Sequence, residues 1–195
     1  MLAAVCASFV VHAHEERPGA ASPLTKNAPM PAIRPAPALE LGGFELSRLR
    51  GRPVLVAFVY TSCTSACPLL SARMARLERK LDAAHVAAEL VSVTVDPERD
   101  DAKKLALYAK GFGAGPRWRF VRDEPARTAR TLAPWDEWTK RLPSGEIDHP
   151  ARVHLVDAQG RVREIYSLAF FDEDQAFLDI MALQDRGQTP ARKKQ

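Results

Sequence analysis

Residues Pro53 to Leu70 read PVLVAFVYTSCTSACPLL. The first eight, through Tyr60, are apolar and rich in valine, as in a strand covered on both faces of a sheet. The run then gives way to Thr61 and Ser62, meets Cys63 and Cys67 with three residues between them, and passes Pro68. Beyond it Leu70, Met74, Leu77 and Leu81 recur at steps of four, three and four, while Arg73, Arg76, Arg79 and Lys80 fall on other faces. That is one apolar face of a helix. Two thiols therefore stand where a buried strand hands over to a helix N-terminus, with Cys63 in the entering loop and Cys67 in the first turn. Pro68 is tolerated there because the helix is only beginning. Met74 lies at core spacing and reads as packing, not as a metal ligand.

Working outward, Leu41–Arg50 reads as a short strand or turn broken at Gly42 and Gly43. Ala88–Val95 is a second β-rich run, and Asp100 and Asp101 open a helix with the stripe Ala102, Leu105, Ala109 and Phe112. Trp118–Val121 is a third strand, and Glu124–Leu132 is helical with Pro125 in its first turn. Ala133–Ile147 has no period and reads as a long loop with room for a helical turn. Arg152–Val156 and Arg161–Ser167 form a hairpin across Asp157-Ala158-Gln159-Gly160. Phe171–Asp185 is the last helix, with Phe177, Ile180, Met181 and Gln184 on one face. Parallel strands joined by helices, then an antiparallel pair and a helix, predict an α/β thioredoxin-like sandwich with a mixed central sheet. Function in such open sheets gathers at the carboxyl ends of the parallel strands, where Cys63 and Cys67 sit.

At 195 residues and 46% hydrophobic content, the chain suits one domain with tails. The formal charge of +4 comes with arginines scattered over helices and turns, and no nucleic-acid-binding signature accompanies them. We therefore expect no nucleic-acid partner. No stretch reaches the roughly 18–20 apolar residues that span a bilayer. Leu2–Val11 is nevertheless apolar, contains Cys6, and leads into His12, Ala13 and His14. We expect residues 1–14 to be the end of a signal peptide or membrane anchor, giving an exported, periplasmic protein with a tether to the inner membrane as one form of it. Residues 15–40 hold six prolines and read as an extended linker. The domain proper is expected over 41–186, and 187–195 as a basic tail. With Cys6 in the leading segment, two cysteines remain, too few for a disulfide framework but enough for a site.

Backbone N–H groups and the positive helix end favour thiolate at such a turn. Two thiolates form a soft pair suited to Cu(I) and usable by Zn(II). They also close into a disulfide, so dithiol, metal-bound and oxidised states are all open. Thioredoxin-type redox motifs separate their cysteines by two residues. Thr64-Ser65-Ala66 makes three here, which leaves room for a third ligand. Among the histidines, His85 reads as surface, His154 as a hydrogen-bonded sheet residue, and His12 and His14 as parts of the leader. His149, in Ile147-Asp148-His149-Pro150, precedes the hairpin, within reach of the cysteine turn in a thioredoxin-like fold. By spacing alone it is an ordinary loop histidine.

Three stretches carry a family resemblance. Tyr60–Pro68 resembles the CxxxCP signature of the Sco (SenC-type) proteins, Val93–Asp100 (VTVDPERD) resembles their SVDPERD segment, and Asp148-His149 with Val153–Gly160 resembles their DHS…LIDPxG segment. The likeness runs from about Leu39 to Leu183. It implies a thioredoxin-like copper protein in which Cys63, Cys67 and His149 bind copper, as Cu(I) or Cu(II). It implies a metallochaperone assisting the copper centre of cytochrome c oxidase, with subunit II of that enzyme as the copper-accepting partner. Asp96 and Asp148 are then candidates for groups behind the ligands, with helix capping and turn formation as their alternative roles. Pro150 stands where the family has serine, and Ala133–Glu146, with Trp135 and Trp138, departs from the family's stretch before the histidine. A thiol–disulfide oxidoreductase or redox sensor, with Cys63 and Cys67 as its redox-active pair, is the second expectation. A peroxiredoxin-like peroxidase is the third.

Overall fold

The computed structural model describes residues 32–187. In chain order the elements are β1 (Arg34–Pro35), β2 (Glu40–Leu41), β3 (Phe44–Glu45), β4 (Val54–Val59), α1 (Ala66–Ala83), β5 (Glu89–Thr94), α2 (Ala102–Phe112), β6 (Trp118–Val121), α3 (Pro125–Leu132), β7 (Lys140–Arg141), β8 (Ile147–Asp148), β9 (Val153–Val156), β10 (Arg161–Tyr166) and α4 (Glu173–Gly187). Six of the strands form one sheet in the order β1-β10-β9-β4-β5-β6. β4 pairs in parallel with β5 and antiparallel with β9, and every residue of it is buried. This is the covered central strand that its unbroken apolar run predicts.

The apolar face read for the first helix is the one α1 buries: Leu70, Met74, Leu77 and Leu81 all lie in the core. α1 packs on α4, which buries Ala176 and Ile180. α2 starts at an N-cap, Asp101, whose side chain accepts the Lys104 N–H at 2.8 Å, and it ends at left-handed Gly113. Of its expected stripe, Leu105 is buried whereas Ala102 is exposed. Tyr108 makes the link to α1, through Ser71 at 2.8 Å.

Several expectations are corrected. The linker does not extend to Glu40: β1 pairs with β10, and Leu39 is 1% exposed in the core, so the domain begins before residue 41. The earlier part of that linker, the leading segment 1–14 and most of the C-terminal tail lie outside the described residues. Ala133–Ile147 is more than a loop. It makes a 3-10 turn, Ala133–Trp135, and then β7 and β8 pair as a small hairpin. Trp135 is fully buried, while Trp138 is 52% exposed. The expected partner atoms of His154 are also missing. The ring is buried edge-on against Phe58 and Trp135, and neither nitrogen has a hydrogen bond. Its outward-facing position on β9 is roofed by the Trp135 turn, which strand alternation cannot reveal. Burial, reinforced by the nearby positive charges of Arg34 and Arg152, drops its pKa to about 4.

Candidate metal centre

β4 ends at Val59, and the chain turns through Tyr60, Thr61 and Ser62 before α1 begins at Ala66. The turn is tied down by a buried carboxylate. Asp100 accepts the Thr61 N–H at 3.0 Å and the Thr61 hydroxyl, and also the hydroxyl of Thr94 at the end of β5. The sequence reads Asp100 only as a residue that opens a helix; its attachment is to the cysteine turn.

Ser65, the N-cap of α1, makes no capping bond with its own side chain. The sulfur of Cys63 acts instead: it accepts the N–H of Cys67 at 3.3 Å and lies 3.9 Å from the Ser65 hydroxyl. Helix N-termini leave such N–H groups unpaired, and a thiolate is a good acceptor for them. Burial by itself would raise the Cys63 thiol. The N–H groups of Cys67 and Ser65 and the side chains of Cys67 and Tyr60 outweigh it, so its pKa is lowered. Cys67 is 1% exposed, and burial pushes its thiol far up, with the adjacent charges of Cys63 and Asp100 adding to the shift. Both thiols are free. One thiol is thus lowered, and the other is raised and buried behind it.

Tyr60 joins this turn to the histidine loop. Its hydroxyl accepts the buried N–H of Ile147 at 3.2 Å and reaches the Cys63 sulfur, and burial lifts its pKa to about 12. Its ring meets that of His149 edge-on, with centroids 5.9 Å apart. Cys63, Tyr60, His149, Pro150 and Leu168 share the wall of one open pocket of about 270 Å³. Cys67 lies behind that wall. Among the described residues no three His, Cys, Asp or Glu side chains close into a metal-binding cluster. The structure thus brings the two cysteines together and sets His149 on the same pocket, across Tyr60.

The candidate carboxylates fall elsewhere than expected. Asp96 is buried and ion-paired to Arg99 and Arg141, and with Glu98 and Arg141 it lines a pocket other than the one that holds Cys63 and His149. Asp148 is exposed on the rim of the cysteine pocket. The carboxylate against His149 is Glu137, buried in the Trp135 segment, with Oε2 3.5 Å from His149 Nδ1 and Oε1 accepting the Arg152 N–H at 3.0 Å. Sequence reading missed it because the segment has no period and no family motif. Ala151 donates its N–H to the same Nδ1 at 3.2 Å, and it sits at φ 51°, a left-handed conformation costly for alanine.

A dithiol on the strand–helix turn of a mixed sheet, faced by a histidine loop, defines a thioredoxin-like protein with sulfur chemistry at its centre. The chain belongs to the SCO1/SenC family, whose profile matches residues 43–183. It is 29% identical over 132 residues to a SCO1 protein homologue of Bacillus subtilis, an alignment covering 63% of this chain and 65% of that protein, just under two thirds of its length. Its fold matches a SCO1/SenC family lipoprotein from Bacillus anthracis with a TM-score of 0.72 at 20% identity, over 78% of this chain and 97% of the other. It also matches Bradyrhizobium japonicum ScoI, solved with copper bound, with a TM-score of 0.63 at 24% identity, over 76% and 97% of the two chains. At these identities the two structural likenesses speak for the fold.

Proposed function

We propose that this protein binds copper as a metallochaperone of the Sco type. The carrying observation is a pair of adjacent sulfurs, one with its thiol pKa lowered, of which Cys63 shares a pocket with His149. Two soft sulfurs and an imidazole are a donor set that fits copper. Cys63, Cys67 and His149 would hold the ion, with the loop around Pro150 and Ala151 carrying His149 toward the turn. The open pocket keeps the site accessible, as a donor of metal to another protein's thiolates requires. The copper-bound state of the Bradyrhizobium relative supports the same cargo here. Family membership supports a copper-accepting partner in cytochrome c oxidase assembly, and we take subunit II as that partner. The lipoprotein nature of the Bacillus anthracis neighbour supports a location outside the cytoplasm, in the periplasm or on the inner membrane.

A thiol–disulfide reductase is the second reading, and the unequal cysteines favour it. The Cys63 thiolate would attack a partner disulfide and expel one partner thiolate. Cys67, after losing its proton, would then attack the mixed disulfide, releasing the second partner thiolate and leaving a Cys63–Cys67 disulfide. Two electrons pass to the partner. Titration of the reduced protein with Cu(I) against a competing chelator, for wild type and His149→Ala, separates the readings. The chaperone reading expects one tightly held copper and a sharp loss of affinity in the variant. Unchanged copper binding, with full reductase activity retained, would give the site to the second reading.

A further inference from the structure

Which nitrogen of His149 carries the proton decides which of the two keeps the lone pair that a metal needs. Nδ1 has two neighbours with opposite demands. The Ala151 N–H at 3.2 Å calls for a lone pair there, while the Glu137 carboxylate at 3.5 Å calls for a proton. Glu137 carries the larger demand. Its side chain is wholly buried, its Oε1 is taken by the Arg152 N–H, and His149 is the partner of its Oε2. Setting a buried carboxylate oxygen against an imidazole lone pair would leave a charged acceptor unsatisfied, a heavier cost than weakening one amide hydrogen bond.

We infer that Glu137 is a positioning residue for His149, holding the proton on Nδ1 so that the Nε2 lone pair is free for a metal ion. Carboxylates behind histidine ligands do this generally, fixing the ring and its tautomer. Here the carboxylate comes from the Trp135 segment. That segment is itself anchored: Arg34 of β1 donates to the Pro134 carbonyl and to Asp136, each at 2.7 Å, and Arg152 donates to the Asp136 carbonyl at 2.6 Å. The stretch that departs from the family pattern thus supplies the group that prepares the family's histidine.

The ligand role of His149 rests on the copper reading above, but the tautomer belongs to the metal-free protein and is measured there. Long-range proton–nitrogen NMR correlations on reduced, metal-free protein with 15N-histidine should show His149 protonated at Nδ1. Glu137→Gln keeps an oxygen for the Arg152 N–H but turns an amide NH2 toward Nδ1, which should move the proton to Nε2. In the Cu(I) competition titration this variant should lose roughly 10–100-fold in affinity, the usual effect of removing a partner behind a ligand. Wild-type His149 protonated at Nε2 would overturn the inference without recourse to any variant. So would a Glu137→Gln protein with the proton moved and copper affinity unchanged, provided His149→Ala loses affinity. If His149→Ala itself binds copper as wild type does, the copper reading fails. The tautomer measurement then tells that failure apart from one of Glu137.

Discussion

The cysteines and His149 reach their pocket by different means. Cys63 and Cys67 are carried by a central strand and a long helix, and the sulfur of one caps the backbone of the other. His149 is carried by a stretch with little regular structure, held by side chains: Glu137 and Arg152 from its own region, Arg34 from β1, and Tyr60 from the opposite half. Backbone hydrogen bonds and core packing fix the first half in one geometry. The second half hangs largely on individual side-chain bonds, so it is the half that single substitutions would loosen most. A rigid pair and an adjustable histidine are what the proposed copper site would need to both hold a metal and release it.

The largest effect expected is within the cysteine half. With one thiol lowered and the other raised and buried, iodoacetamide at neutral pH should modify Cys63 well over tenfold faster than Cys67, which peptide mapping by mass spectrometry reads directly. Equal labelling would mean that the helix N-terminus does not distinguish them. On the other side, Trp135→Ala removes the fully buried indole that packs the loop segment on Phe58 and His154, and should cost about 3–5 kcal/mol in urea unfolding. A loss under about 1 kcal/mol would show the segment to be loosely attached.

Next comes acid. Unfolded, the His154 imidazole takes a proton below about 6.5, whereas in the fold it does so only near 4. Between those values the unfolded chain binds the extra proton, so stability falls as pH drops through that window and is fully present above it. The contribution is roughly 3 kcal/mol by pH 4. His154→Phe should flatten that part of the stability curve, and an unchanged slope would contradict it. The smallest effect is at the joint between halves. Tyr60→Phe leaves the buried Ile147 N–H without an acceptor and should cost about 1–2 kcal/mol, with hydrogen exchange quickening at Ile147.

The same contrast explains what could be read in advance. The valine run of β4, the leucine spacing of α1 and the hairpin turn at Asp157 carry periodicities, so the sheet, its flanking helices and the cysteine turn were legible. His149 was singled out only through likeness to a family, because one histidine in a loop has no period. Glu137 was invisible for the same reason. Asp96 was read as a carboxylate standing behind the ligands, whereas the one bonded to the cysteine turn is Asp100 and the one against His149 is Glu137. Which carboxylate reaches His149 depends on how the Trp135 turn folds back over β9, a long-range contact with no local signature. His154 failed similarly: its place in a strand was legible, but not the indole that covers it.

The central claim is that both halves hold one copper ion. Anaerobic titration of the reduced protein with Cu(I) under a competing chelator, comparing wild type, Cys67→Ser and His149→Ala, tests it most directly. The account predicts one copper per chain in wild type, loss of tight binding in Cys67→Ser, and weakened one-to-one binding in His149→Ala. Wild-type affinity in His149→Ala would show that the cysteine half binds alone and contradict the account.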